Sequence, residues 1–493
     1  MRNHYILAID QSTSGTKALL INHQGQIVEK QTAVHKQIYP QSGWVEHDPV
    51  EIYENVKQVI NKIGADNPSI SKKMNTLTIT NQRETIVIWD KRTGEPVYNA
   101  IVWQCRRTTS ICTSLKATGY EEVVHASTGL KIDPYFSATK AKWILDNVPG
   151  VRERAEKGDL LLGTMDSWLI WKLTNGRVHA TDVTNASRTL LFNIYTLSWD
   201  EELLKIFTIP KTMLPEVKYS DEIFGVVEDS ELFINKLPIS GVIGDSQAAL
   251  YAQQCFDKKS AKATFGTGTS VMVYTKECVE AKEGLVTSVA WGSNGKVHYA
   301  IEGIINTTGD IIQWMKDDLT LFATFDEAEQ LAYMLDDNEG VYLVPAFVGL
   351  GAPYWKPEIR ASITGMSRST KKAHIVRAGL ESIVYQVKDV LQLIEKETNI
   401  AVKELRVDGG ATTNQFLMQF LADILGIKVM VSTISELSAL GSVYIGGLGS
   451  SFWTLEEISA LHTEKRMFEP KMNTEAREQF YLEWKRAVYS AIG

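Results

Sequence analysis

Tyr5-Ile6-Leu7-Ala8-Ile9-Asp10-Gln11-Ser12-Thr13-Ser14-Gly15-Thr16-Lys17-Ala18-Leu19-Leu20-Ile21 is the stretch that decides the fold. Two apolar, β-favouring runs flank a turn of small and hydroxyl residues, so it reads as strand, turn, strand. A Walker-type loop or a dinucleotide fingerprint needs a helix directly after its glycines. Here a strand pattern follows, which disfavours both. Asn22-His23-Gln24-Gly25 then turns the chain into a third strand pattern, Ile27 to Val34. A turn of Gly, Ser and Thr lets N–H groups and hydroxyls converge on an anion with no Cβ in the way.

The same pattern returns at Phe265-Gly266-Thr267-Gly268-Thr269-Ser270, between Ala261 to Thr264 and Val271 to Tyr274. Two such turns suit a polyphosphate gripped from both sides, and they suggest an internal duplication. They point to ATP chemistry in a chain with no Walker-type loop.

Outward from these turns, other elements follow. Asp48 and Glu51 form a capping-box pattern with Pro49 in the first turn, ahead of Ile52, Val56, Val59, Ile60 and Ile63 on one helical face. Met74 to Ile79 reads as a strand ending at Gln82-Arg83-Glu84. Gly241 to Ile243 reads as a strand leading to Gly244-Asp245-Ser246-Gln247, with a helix over Ala248 to Cys255. His374 to Lys396 reads as a long helix. Leu405 to Val407 is a short strand feeding Asp408-Gly409-Gly410, where a helix begins.

At 493 residues the chain exceeds what one core usually supports, so two large domains are expected. Hydrophobic content of 44% and charged content of 22% fit a globular enzyme with full cores. A net charge of -8, with no Lys/Arg cluster, disfavours a nucleic-acid partner. Cys105, Cys112, Cys255 and Cys278 lack metal-ligand spacing and read as reduced thiols. Met1-Arg2-Asn3-His4 leads into a strand without a signal core. No apolar run is long enough to cross a bilayer. A cytoplasmic protein without integral membrane contact is the expectation.

Four segments carry candidate chemistry. Asp10, a carboxylate at a strand end beside a hydroxyl turn, suits a hydrated Mg²⁺ that bridges phosphates; the plain alternative is an Asp bonded to its own turn. Asp408-Gly409-Gly410 lets a flat ring or ribose approach the backbone, with Asn414 adding a side-chain contact; the alternative is a tightly packed βα turn. Asp245, where a strand meets a helix, suits a general base for an attacking hydroxyl; the alternative is an N-cap. Arg83 and Glu84 offer donors and an acceptor to a small polyhydroxy molecule, and Trp103 and Tyr135 suit its C–H face. A surface ion pair and core filling are the alternatives there.

Taken together, these segments resemble the FGGY family of carbohydrate kinases. The resemblance runs through Gly43-Trp44-Val45-Glu46-His47-Asp48-Pro49, Thr80-Asn81-Gln82-Arg83-Glu84-Thr85 and Ile132-Asp133-Pro134-Tyr135-Phe136-Ser137. It continues in Thr184-Asn185-Ala186-Ser187-Arg188-Thr189, Gly349-Leu350-Gly351-Ala352-Pro353-Tyr354-Trp355 and Arg406-Val407-Asp408-Gly409-Gly410. It implies an α/β fold with two actin/hexokinase-like (ribonuclease H-like) domains facing a central cleft. The domains would be 1–252, with the polyol site and first phosphate loop, and 253–493, with the nucleotide site. It implies ATP and Mg²⁺ and phosphorylation of a primary hydroxyl of a small polyol, glycerol first. A homo-oligomer, dimer or tetramer, is also implied.

Carried over residue by residue, Arg83, Glu84, Trp103, Tyr135 and Asp245 match the polyol pocket, with Asp245 as base. Thr13, Ser14, Gly15 and Lys17 match the first phosphate loop, and Thr267 the second. Gly309, Gln313, Gly410 and Asn414 match nucleotide contacts. Two pocket positions depart: Ser246 stands where the glycerol-phosphorylating branch carries Gln, and Ser270 where it carries Phe. Both changes widen the pocket and make it more polar, which keeps a four- or five-carbon polyol or a ketose open as the alternative substrate.

Overall fold

β1 (Tyr5–Gln11) and β2 (Gly15–Asn22) form the expected hairpin, and β3 (Ile27–Val34) extends it antiparallel. Leu7, Ile9, Leu19 and Ile21 are fully buried, and each such side chain contributes about 1.5–3 kcal/mol relative to exposure. The computed structural model describes residues 4–234, 236–356, 358–461 and 465–493. Met1 to Asn3, where the expected lead into β1 starts, lie outside the described residues.

The chain divides into two compact units, 1–254 with 287–299 and 436–462, and 255–286 with 300–435 and 463–493. In the first unit α1 (Pro49–Asp66) buries Ile52, Val56, Val59, Ile60 and Ile63, the expected face. Asp48 is its N-cap and accepts from the Val50 N–H. The capping box does not close, because Glu51 accepts from the Lys36 N–H instead. β4 (Met74–Asn81) pairs parallel with β1, and β6 (Pro238–Gly244) pairs parallel with β4; β5 (Ile223–Val226) closes the edge antiparallel. The sheet order is β5-β6-β4-β1-β2-β3. The helix expected over Ala248 to Cys255 is α2 (Asp245–Ala252), shifted by three residues towards β6. Its N-cap is Gly244, so Asp245 is the first helical residue rather than the cap.

In the second unit β7 (Ser260–Phe265) and β8 (Thr269–Lys276) form the other hairpin. α3 (Gly309–Asp317) and the long α4 (Lys372–Thr398) follow. β9 (Glu404–Gly409) pairs parallel with β7, and β10 (Lys428–Ser432) parallel with β9. β11 (Lys465–Phe468) runs antiparallel at one edge, so these five strands of a seven-stranded sheet lie in the order β8-β7-β9-β10-β11. The helix expected straight after Gly410 is preceded by one 3₁₀ turn, Gly410–Thr413; α4 is then followed in chain order by α5 (Gln415–Leu425). A single core of Ile311, Met315, Val387, Val407, Leu421 and Trp484, among others, holds this unit. Hairpin, two parallel strands and an antiparallel edge recur in both sheets, which gives the suggested duplication its topological form.

Candidate active site

In the first unit the acceptor-side candidates are joined by direct contacts. Arg83 and Glu84 follow β4 and are almost fully buried, so the surface ion pair is not what forms. Arg83 Nε lies 3.3 Å from Asp245 Oδ1, and its Nη1 donates to Gln247 Oε1 at 3.2 Å. Glu84 accepts from Arg188 Nε at 2.6 Å. Two buried guanidinium groups are thus balanced by two carboxylates, the condition for holding charge away from water. Glu84 adopts the left-handed backbone, φ 62°, which a non-glycine residue takes up only where its surroundings compel it. Its carbonyl accepts from Ser137 Oγ at 3.0 Å, and its carboxylate is pinned by Arg188.

Asp245 keeps 38% of its side chain exposed, the open end of this network. One of its oxygens accepts from the Ser246 N–H at 2.6 Å. The turn before it is held elsewhere: the Gly244 N–H donates to Thr184 Oγ1, whose hydroxyl donates to Asp182. The carboxylate thus meets one N–H of the first turn of α2 and the Arg83 guanidinium, and still keeps an exposed side. The Ser246 hydroxyl has no hydrogen-bond partner among the described residues. Trp103 and Tyr135 are half-buried, 5.4 Å apart edge to face, and the Arg188 guanidinium lies 5.9 Å from the Tyr135 ring. They form a partly open aromatic wall rather than core filling.

Thr13, Ser14 and Gly15 make the first turn. Ser12 closes it onto the Gly15 carbonyl with both its N–H and its hydroxyl. The Thr13 and Ser14 N–H groups have no hydrogen-bond partner among the described residues. The Trp103 indole donates to Thr13 Oγ1 at 3.0 Å, which links this turn to the aromatic wall. Lys17 faces Asp10 across the hairpin at 3.9 Å but is held by Glu436 at 2.6 Å. Burial works against its charge, and the Asp10 and Glu436 carboxylates more than compensate, raising it above the ordinary lysine value. Asp10 is buried and accepts no hydrogen bond from the described residues. Burial pushes its carboxyl up to about 7; the charges of Asp245 and Glu436 add to this, and Lys17 opposes it.

In the second unit Thr267, Gly309, Gln313, Gly410 and Asn414 line one cavity of about 350 Å³, together with Phe265, Ile312, Phe325 and Ala411. That size and mixed lining suit a small organic ligand. The second turn is docked on the start of α3. Thr308 and Gly309 donate to the Thr267 and Gly266 carbonyls at 2.9 and 3.0 Å. A Cβ on Gly309 would lie 2.5 Å from the Gly266 oxygen, so only glycine permits this approach. Thr267 and Gly268 keep N–H groups without a hydrogen-bond partner among the described residues. Gly409, at φ 100°, carries β9 past Phe265 and presents Gly410 to the cavity. Asn414 caps α5 through its side-chain oxygen, which accepts from the Leu417 N–H, and its amide NH₂ has no partner among the described residues. Ser270, expected in the polyol pocket, sits on β8 opposite Thr264, and its hydroxyl donates to Glu302 at 2.7 Å.

The sequence reading gave no role to Arg188, Gln247, Glu436 or Phe325. A fully buried arginine needs an acid partner, but Glu84 lies 104 residues away, and nothing local marks the pairing. Among the described residues no group of three or more His, Cys, Asp or Glu side chains could hold a metal ion by itself, and no helix is long and apolar enough to cross a membrane.

Residues 5–252 match the model of the FGGY family of carbohydrate kinases, N-terminal domain, and residues 261–450 match that of its C-terminal domain. Over 491 residues the chain is 51% identical to glycerol kinase 2 of Thermotoga maritima, covering 99% of each chain. It is 50% identical to a glycerol kinase of Halothermothrix orenii, covering 100% of this chain and 99% of that one. The crystal structure of Plasmodium falciparum glycerol kinase with ADP is 37% identical, with a TM-score of 0.94 over 99% of this chain and 98% of that one. A ligand-bound xylulose kinase from Lactobacillus acidophilus shares the fold at 21% identity, with a TM-score of 0.89 over 99% and 98% of the two chains.

Proposed function

Because this chain belongs to the FGGY family of carbohydrate kinases, we propose that it transfers the terminal phosphoryl group of ATP to a primary hydroxyl of glycerol. The observation that carries this reading is the linked set Asp245, Arg83, Glu84, Tyr135 and Trp103, in a chain about half identical to glycerol kinases over its whole length. Arg83 and Glu84 hold the polyol hydroxyls, and Trp103 with Tyr135 covers the carbon face. Asp245 orients the reacting hydroxyl and accepts its proton. A carboxylate suffices because phosphoryl transfer depends more on positioning and charge than on a strong base.

The cavity of the second unit takes the nucleotide, with Gly410 and Ala411 giving its ring close access and the Asn414 NH₂ available as a donor. Each turn offers two open N–H groups to phosphate oxygens. A buried carboxylate that accepts no hydrogen bond is what a hydrated divalent cation would use, so Asp10 fits Mg²⁺ in the usual form of one or two carboxylates plus phosphate. Bound there, Mg²⁺ supplies charge neutralisation for the phosphates.

Ser246 favours a second reading. Its unpartnered hydroxyl beside Asp245 could serve a hydroxyl of a longer polyol or ketose. The test is turnover against glycerol, erythritol, threitol, ribitol, xylitol and xylulose with ATP. Glycerol should give the highest kcat/KM; a longer substrate ranking above it overturns the choice of glycerol. In that case Ser246→Gln should move preference back towards glycerol, by about tenfold or more for one pocket contact.

A further inference from the structure

We infer that His47 is a positioning residue: it closes a ring of hydrogen bonds that ties Thr13 of the first turn to Trp103, so that phosphate turn and polyol wall hold one shared geometry. The roles of Thr13 and Trp103 rest on the proposed function; the ring itself does not.

The ring can be followed donor by donor. The Trp103 backbone N–H donates to Thr85 Oγ1 at 3.2 Å, and the Thr85 hydroxyl donates to Gln82 Oε1 at 3.0 Å. The Gln82 amide nitrogen donates to Gln11 Oε1 at 3.0 Å and lies 3.4 Å from His47 Nδ1. His47 Nε2 lies 2.8 Å from Gln37 Oε1, and Gln37 Nε2 donates to the Thr13 carbonyl at 2.9 Å. The Trp103 indole closes the circle on Thr13 Oγ1 at 3.0 Å. His47, Gln82 and Thr85 are essentially inaccessible to solvent, so each polar atom must find its partner inside.

Only one form of His47 completes this order. Gln37 uses its amide nitrogen on Thr13, so its oxygen faces His47, and Nε2 must carry the proton. Nδ1 is then the acceptor for the Gln82 amide. A charged imidazole would set two donors against each other at Gln82. Burial, with His35 packed 4.5 Å away, holds His47 far below the ordinary histidine range, at about 3. A neutral ring is what the geometry requires. A histidine that merely fills the core would need neither the one-way donor order nor a path that begins and ends on two residues of the proposed machinery.

The test uses the full-length enzyme, His47→Leu, which removes both partners, and His47→Gln, which keeps one donor and one acceptor. The first readout needs no substrate: the Trp103 indole N–H resonance, identified by its loss in Trp103→Phe. It should shift in His47→Leu and return towards the wild-type position in His47→Gln. The second is the factor by which saturating glycerol changes the dissociation constant of a non-hydrolysable ATP analogue. That factor should fall about fivefold or more in His47→Leu, within the usual span of coupling between sites, and recover in His47→Gln. A purely structural role would lower Tm and leave both readouts in place. A folded His47→Leu with unchanged resonance and unchanged factor overturns the inference, as does a wild-type factor of one in an enzyme that does phosphorylate glycerol. If His47→Leu does not fold, Gln37→Leu cuts the next link at a half-buried position and is judged by the same readouts. Should the wild-type enzyme leave glycerol unphosphorylated, the proposed reaction fails, while the indole resonance still decides the ring.

Discussion

The two glycine-and-hydroxyl turns look alike in sequence and are held in unlike ways. The first is surrounded by side-chain charge: Asp10, Lys17 and Glu436 sit around it, and Trp103 and Gln37 fasten Thr13. The second has its carboxylates further out, Glu302 on Ser270 and Asp408 opposite Thr264. It is seated on the start of α3, whose first N–H groups bind its carbonyls, and Gly309 permits the close approach. Both keep two neighbouring N–H groups open. The same strand–turn–strand unit can therefore be held by side-chain bonds and ion pairs or by the backbone of a following helix, by changing what supports it rather than the turn itself.

The comparison breaks most visibly if each turn's surroundings do not serve separate steps. Asp245→Asn, on the acceptor side, should lower kcat by about 10²–10⁴, the span for loss of a general base, while an ATP analogue binds as in the wild type by calorimetry. Near-normal turnover would remove Asp245 from the chemistry. Gly309→Ala should act on the other side, because its methyl group cannot avoid the Gly266 carbonyl. The nucleotide KM should rise about tenfold, an ordinary cost for overpacking of 1–3 kcal/mol, with the polyol KM far less affected. Equal effects on both would mean that the second turn is not specific to nucleotide.

The smallest effect expected is thermal. The Asp10 carboxyl, raised to about 7 in the fold from 3.8, binds its proton more tightly there than in the unfolded chain. Its stabilising contribution is complete below about pH 4 and is lost as pH rises through about 7. Asp10→Asn should therefore raise Tm by a few degrees at about pH 8 and leave it unchanged or lower at about pH 4. A Tm difference that does not vary with pH would contradict the burial of this charge, and with it the contrast between the two turns.

Much of the fold was legible because its signals are local. Alternating and continuous apolar runs beside Gly, Ser and Thr mark both hairpins, and the spacing of Ile52, Val56, Val59 and Ile63 marks α1. The misplaced details have physical causes. An acidic residue at a helix start reads as a cap; here α2 starts one residue earlier than that reading needs, so Gly244 is the N-cap and Asp245 bonds the next N–H, that of Ser246. The spacing of Asp48 and Glu51 is that of a capping box, but the Lys36 N–H takes the Glu51 carboxylate. Longer-range features had no local mark. Lys17 meets Glu436 across 419 residues, and 436–462 rejoins the first unit after an intervening stretch of the second. Arg188 stood in a quoted motif without a task until Glu84 was found beside it. Ser270, expected in a polyol pocket, has its hydroxyl engaged by Glu302.

One consequence of the way α2 begins concerns what can be done with the protein at the bench. Since Gly244 and Thr184 hold the turn into that helix, and the side-chain oxygen of an amide can still accept from the Ser246 N–H, the acid next in line can be exchanged for asparagine without losing the helix start. An amide in its place should yield a sturdy but idle enzyme, able to keep donor and acceptor together for as long as a crystal takes to grow, and so to reveal the complex that the working protein consumes.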